Sequence, residues 1–235
     1  MASRIIVTGG SKGIGKAIIE KFIAKGYDIA TCSRNSRDLE NLKSALQSQY
    51  PSRDIWVKAC DVTKAADIST WCAELSMHWD RCDILVNNAG TFLPGSVLTE
   101  DEYALTNQLE TNLLSTYRFT RSLIPLIHNN QSGHIFNMCS IASQKAYPHG
   151  GAYTISKFAV YGFSQCLREE LKPTAIKVTA VLPGATWTDS WAGSSHGPDD
   201  MIQGEDIAAL IWSCSQLSKQ AVVEEIRIRP QGGDL

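Results

Sequence analysis

The chain is 235 residues long, 43% hydrophobic and 20% charged, with 22 Lys and Arg against 24 Asp and Glu for a net charge of −2. That balance excludes a global attraction to nucleic acid or to an anionic membrane, and it predicts one globular domain over 1–235 whose core is not limited by chain length. No apolar run approaches the ~18 residues that span a bilayer, and Met1-Ala2-Ser3-Arg4 leads into Ile5-Ile6-Val7 without a secretory h-region, so a cytoplasmic protein is expected.

Short β-branched or apolar runs alternate with longer stretches of helical period. Strands are expected at Arg4–Thr8, Asp28–Ser33, Ile55–Cys60, Ile84–Val86, His134–Cys139, Lys177–Leu182 and Glu225–Arg229, and helices near 14–25, 36–49, 64–79, 101–128, 152–171 and 204–217. Repeated strand–helix–strand units predict an α/β architecture, a doubly wound seven-stranded parallel sheet flanked by helices on both faces. The stretch without clear period is Ala185–Gln203, and a loop of that length in a compact domain is usually functional. Seven scattered cysteines without a CxxC pair predict neither disulfides nor a metal site.

After the first strand stands Thr8-Gly9-Gly10-Ser11-Lys12-Gly13-Ile14-Gly15, followed by a helical pattern. Strand, glycine turn and helix N-terminus aim backbone N–H groups and a positive dipole end at one place, which suits a pyrophosphate. A P-loop is excluded because Ala17 stands where its magnesium-binding hydroxyl belongs, and the usual G-x-G-x-x-G would end on Ile18. The second strand runs out in Ser33-Arg34-Asn35, with no acid for a ribose 2′-hydroxyl. Arg34, with Lys12 in the turn, fits a 2′-phosphate, so NADP(H) is expected over NAD(H).

Tyr153 and Lys157 lie one helical turn apart on one face. A neighbouring ammonium is expected to lower the phenol's pKa, making the pair a proton donor and acceptor for a carbonyl or alcohol oxygen.

Together Thr8–Gly15, Asp61-Val62, Asn87-Asn88-Ala89-Gly90, Asn112, Ser140, Tyr153-x-x-x-Lys157 and Pro183-Gly184-x-x-x-Thr188 resemble the short-chain dehydrogenase/reductase family over nearly the whole chain. The C-terminal run Val222–Leu235 is most similar to its sepiapterin-reductase-like branch. The resemblance implies a Rossmann fold and a carbonyl reductase or alcohol dehydrogenase acting on a small molecule. It implies Tyr153 as catalytic acid, Ser140 as donor to the substrate oxygen, Lys157 on the nicotinamide ribose and Asn112 holding a relay water. Gly9, Ser11, Gly13, Ile14 and Gly15 would cradle the phosphates, with Ser33, Arg34 and Asn35 at the 2′-position. Asp61 and Val62 would hold the adenine, Asn88, Ala89 and Gly90 its ribose, and Pro183, Gly184, Thr186 and Thr188 the nicotinamide. A homodimer or homotetramer on helices 101–128 and 152–171 is implied as well.

Trp187, Trp191 and His196 fall in the segment where the family carries a substrate lid. Gly193–Gly197 also satisfies G-x-S-x-G, but no apolar strand leads into Ser195 and no histidine follows His196, which argues against a hydrolase. Two alternatives stay open: a 3-oxoacyl-[acyl-carrier-protein] reductase, weakened by Gly150 three residues before Tyr153, and a non-catalytic NADP(H)-sensing regulator, which would need no Tyr–Lys pair. Arg168 fits a basic docking patch for the former, with a solvated helix face as the default.

Overall fold

The computed structural model describes residues 2–128, 132–188, 191 and 196–233. The chain alternates β1 (Arg4–Thr8), α1 (Gly13–Ile23), β2 (Asp28–Ser33), α2 (Ser36–Gln49), β3 (Ile55–Ala59), α3 (Ala65–His78) and β4 (Ile84–Asn87). It continues with α4 (Ala104–Gln108), α5 (Ser115–His128), β5 (Gly133–Met138), α6 (Gly151–Leu171), β6 (Ile176–Pro183), α7 (Gly204–Ser215) and β7 (Glu225–Ile228). All seven strands pair in parallel, in the order β3-β2-β1-β4-β5-β6-β7. This is the doubly wound parallel sheet expected from the alternating pattern, and the Rossmann fold that the family resemblance implied.

The strands are apolar throughout because both faces of the sheet are covered. Side chains alternate along β1: Ile5 and Val7 pack with Phe22 of α1, Leu42 of α2 and Ile207 of α7, whereas Ile6 packs with Trp71 of α3 and Phe119 and Leu123 of α5. Among the described residues no helix is long and apolar enough to cross a membrane.

The helix expected over 101–128 is divided. Between α4 and α5 the chain takes a wider π-helical turn over Leu109–Leu114. Here Thr111 Oγ1 donates to the Asn107 carbonyl at 2.8 Å and Thr116 Oγ1 to that of Asn112 at 2.9 Å, so hydroxyls bond carbonyls just before and within the widened turn. A 3.6-residue apolar period is blind to such an insertion.

Strand order reverses between β1 and β4, and the turns after these two strands diverge there. Such a switch point at the carboxyl edge of a parallel sheet opens a crevice for a ligand.

Candidate active site

A cleft of about 1570 Å³ runs along this edge. One end is the glycine turn. Gly9 and Gly13 have φ of +69° and +53°, a region that L side chains rarely adopt. A Cβ on Gly15 would lie 2.5 Å from both the Gly9 carbonyl oxygen and Asn88 Nδ2, so the turn closes only around bare backbone. Lys12 precedes α1 without a side-chain cap, which leaves the first N–H groups of the helix aimed into the cleft. The turn is braced from beneath: Asn88 Nδ2 donates to the Thr8 and Gly9 carbonyls at 2.9 and 3.1 Å, and Thr8 Oγ1 accepts from the Asn88 and Ala89 amides at 3.0 Å each. Thr31 Oγ1 accepts from the Gly10 amide at 3.1 Å. Thr8 was read from the sequence only as the start of the glycine motif and Thr31 only as a strand residue, although a hydroxyl residue at a strand end beside a glycine turn is a readable signal of bracing.

At the end of β2, Ser33 and Arg34 line the cleft with Lys12. Lys12 pairs with Asp38 at 3.2 Å and remains more than half exposed. Asn35 does not line the cleft; its side chain caps α2, accepting from the Arg37 and Asp38 amides at 3.0 and 3.3 Å. Asp61 also stands outside the wall that Val62 and Thr63 form. Its carboxylate accepts from the Thr63 hydroxyl at 2.8 Å and amide at 3.1 Å, and that hydroxyl bond is the main reason its pKa falls below the ordinary carboxylate range.

The middle of the cleft gathers Ser140, Tyr153 and Lys157 from three stretches of chain. Ser140 follows β5; its Oγ accepts from the Ala142 amide at 3.1 Å and so also shapes the turn after it. Tyr153 is set by the start of α6, where the Ala152 amide donates to Glu100 at 3.1 Å, and by Phe92, whose ring meets the phenol edge-on at 4.8 Å. Phe92 and Glu100 carry no motif and were invisible to sequence reading. Lys157 is buried, and its Nζ donates to the Met138 carbonyl at 2.8 Å and lies 5.8 Å from the Tyr153 ring centroid.

The electrostatics correct the expectation for this pair. Burial pushes the Tyr153 phenol up to about 12, opposed by a hydrogen bond from Ser140, and pushes Lys157 down to about 8. Desolvation disfavours the charged form of each group and is the leading cause of both shifts.

Asn112 is buried behind the wall and does not line it. Its Oδ1 accepts from the Thr91 amide at 2.8 Å, and its Nδ2 donates to the Thr91 carbonyl at 3.1 Å and to Ser156 Oγ at 2.9 Å. A Cβ on Gly90 would meet Asn112 Oδ1 at 3.1 Å and Lys157 Nζ at 3.7 Å, which explains why a glycine ends the Asn-Asn-Ala-Gly run.

Pro183, Gly184, Thr186 and Thr188 form the far wall. The irregular segment is pinned at both ends, with the Trp187 amide donating to Ile202 at 2.9 Å and the Ile202 amide to Ala185 at 3.0 Å. Trp191 lines the cleft and Trp187 does not. Of the G-x-S-x-G run, Gly193–Ser195 lie outside the described residues.

The model of the short chain dehydrogenase family matches residues 3–199. This chain belongs to that family. Sepiapterin reductase of Chlorobaculum tepidum is 31% identical over 241 residues, covering 98% of this chain and 97% of that protein. The NADP-dependent 3-hydroxy acid dehydrogenase YdfG of Escherichia coli is 28% identical over 240 residues, covering 96% and 94%. A metagenomic short-chain oxidoreductase in complex with NADP superposes with a TM-score of 0.83 at 27% identity, covering 97% of each chain. The short-chain dehydrogenase described here is thus an oxidoreductase by family.

Proposed function

We propose that the protein transfers hydride between NADP(H) and a carbonyl or secondary alcohol, with Tyr153 as the acid or base. The observation that carries this reading is the convergence of the Ser140 and Tyr153 hydroxyls in the cleft beside a buried lysine. The cradle at Gly9, Gly13 and Gly15, where a side chain would be strained by positive φ or blocked by contact, suits a pyrophosphate, and Arg34 at the end of β2 with Lys12 of the glycine turn suits a 2′-phosphate. Relatives named for NADP support the same choice. NADP(H) supplies or removes the hydride.

The protein's own part is to handle the proton and the growing oxygen charge. The phenol, held above its ordinary pKa by desolvation, is neutral across the physiological range, the form needed to donate to a carbonyl oxygen as charge develops on it. Ser140 adds a second donor aimed at that oxygen. Lys157 offers a cation near the phenolate left behind, and Asn112 positions Ser156 and the Thr91 backbone, consistent with a place in a proton relay. Val62, Asn88, Ala89 and Gly90 would border the adenosine half, and Pro183, Gly184, Thr186 and Thr188 the nicotinamide half. A second copy of the chain would cover the outer face of α5 and α6, where Tyr117, Ile155 and Phe158 are 40%, 42% and 45% exposed; sedimentation would then report a dimer or tetramer.

The direct test mixes the protein with NADPH and a panel of aldehydes and ketones and follows absorbance of the reduced nicotinamide. Turnover is expected. Tight NADPH binding with no turnover on any carbonyl would favour a regulator instead.

A further inference from the structure

Positive charge is concentrated in the cleft of a chain that is slightly acidic overall. Among the described residues lining it there are six Lys or Arg and no Asp or Glu, against a net charge of −2 for the protein. Walls bearing one sign of charge focus the field and raise the local concentration of counter-ions. Lys12, Arg34 and Lys157 have roles in the reading above. Lys145, Arg227 and Arg229 do not.

Their place in the fold separates them from the dinucleotide's 2′-phosphate. β7 lies five strands from β2, about 24 Å at the ~4.8 Å strand spacing, too far for one phosphate to bridge. Arg227 stands opposite Leu182 in the β6–β7 register, and Arg229 packs on Gly184, where an added Cβ would meet its Cα at 3.4 Å. Arg227 also donates to the side-chain oxygen of Gln144, in the loop that follows Ser140. These cations therefore lie beyond Ser140 on the side away from the glycine turn, two strands or about 10 Å from β5. Glu225, on the same strand, accepts from Gln144 Nε2 at 3.1 Å and from the Tyr161 hydroxyl, and it is not part of the cleft wall.

We propose that the substrate is an oxo acid, or the matching hydroxy acid, whose carboxylate is held by Arg227 at the rim while its carbonyl sits at Ser140 and Tyr153. The proposal rests on the reductase reading and deepens it. A guanidinium fork matches a carboxylate edge-on, and Lys145 and Arg229 add to the attraction without needing direct contact. The carboxylate only anchors. The bond changes are those of carbonyl reduction, the carbon gaining hydride from NADPH and the oxygen gaining the phenol's proton.

The test compares 2-oxobutanoate, 3-oxobutanoate and 4-oxopentanoate with their methyl esters under NADPH, in the unmodified protein and in Arg227→Gln. At least one acid is expected to have kcat/KM about tenfold above its own ester, the worth of one charge-assisted bond at a partly exposed site. In Arg227→Gln that preference should collapse through a rise in the acid's KM. Raising the ionic strength should erode the preference in the unmodified protein as well. Esters turned over as well as every acid, or a preference that survives Arg227→Gln, would overturn the proposal while leaving the reductase reading intact. If no carbonyl at all is reduced, the reductase reading falls and takes the proposal with it.

Discussion

Lys157 donates its Nζ proton to the Met138 carbonyl, 2.8 Å away, while the phenol of Tyr153 lies to the side with its ring centroid 5.8 Å from the same nitrogen. The lysine thus ties α6 to the end of β5 before it serves any substrate. Burial holds its pKa near 8, against an ordinary value of 10.5. Between those values the unfolded chain binds more protons than the native one, so stability should rise with pH from about 8 to about 10.5. Below pH 8 the buried charge costs its full amount, on the order of 3 kcal/mol at 1.36 kcal/mol per pH unit. Lys157→Met removes this dependence. Urea unfolding at pH 7, 8.5 and 10 should show the difference between the unmodified protein and the variant shifting by up to that amount in favour of the unmodified protein. A constant difference would mean that the ammonium is well solvated. Above about pH 10.5 the slope should reverse, because Tyr153 keeps its proton up to about 12 in the native state and loses it earlier when unfolded.

Tyr153→Phe tests the phenol separately from the fold. The ring's edge-on contact with Phe92 at 4.8 Å survives in phenylalanine, and the backbone carbonyl of residue 153 still accepts from Ser156. Stability should therefore stay within about 1 kcal/mol. Loss of a positioned acid should lower kcat for carbonyl reduction by about 10² to 10⁴. The dissociation constant for NADPH, read by fluorescence, should change by less than about threefold. A variant that keeps most of its activity would move the proton-donor role to another group.

The covered parallel sheet and the glycine turn were legible because both follow from local pattern: apolar runs such as Ile5–Val7 mark a sheet covered on both faces, and Gly13-Ile14-Gly15 opens the helix after β1. What stayed hidden depends on which atoms meet across distant segments. Asn35 reads as a ligand residue in a motif, yet a side chain at that position also satisfies the first amides of α2, and the cap is what the structure shows. Asn112 was chosen by family resemblance, but its work of joining the Thr91 backbone to Ser156 depends on a π turn that no residue periodicity announces. The direction of the Tyr153 pKa required knowing how strongly its surroundings desolvate the phenol, which spacing along a helix does not report.

Cofactor choice can be reversed at the end of β2. Lys12 is more than half exposed and shares its charge with Asp38, so its contribution is discounted for screening, whereas Arg34 stands at the turn itself. Arg34→Asp with Lys12→Ala should weaken NADPH binding by about 10- to 100-fold, one to two charge-assisted contacts. NADH binding should change little or improve, since a carboxylate at position 34 can accept from a ribose hydroxyl. Titrating both dinucleotides into both proteins decides it, and an unchanged NADPH affinity would place the 2′-phosphate elsewhere.

One substitution made at two glycines should have opposite signs. At Gly15 an alanine methyl would lie 2.5 Å from the Gly9 carbonyl oxygen and 3.0 Å from Gly10 Cα, both backbone atoms that cannot rotate away. Relief requires the turn to open, so Gly15→Ala should destabilise the protein by about 1–3 kcal/mol and weaken dinucleotide binding more than tenfold. At Gly162, inside α6, a methyl meets nothing within 4 Å, and the backbone there is ordinary helix. Gly162→Ala should raise stability by about 0.4–1 kcal/mol, because alanine gives up less backbone freedom on folding, with dinucleotide affinity unchanged. Thermal unfolding of both variants with and without NADPH separates the effects: the shift that NADPH produces should shrink in Gly15→Ala and persist in Gly162→Ala. Equal shifts in the two would show that the turn tolerates a side chain, and the bare-backbone cradle would then have to be given up.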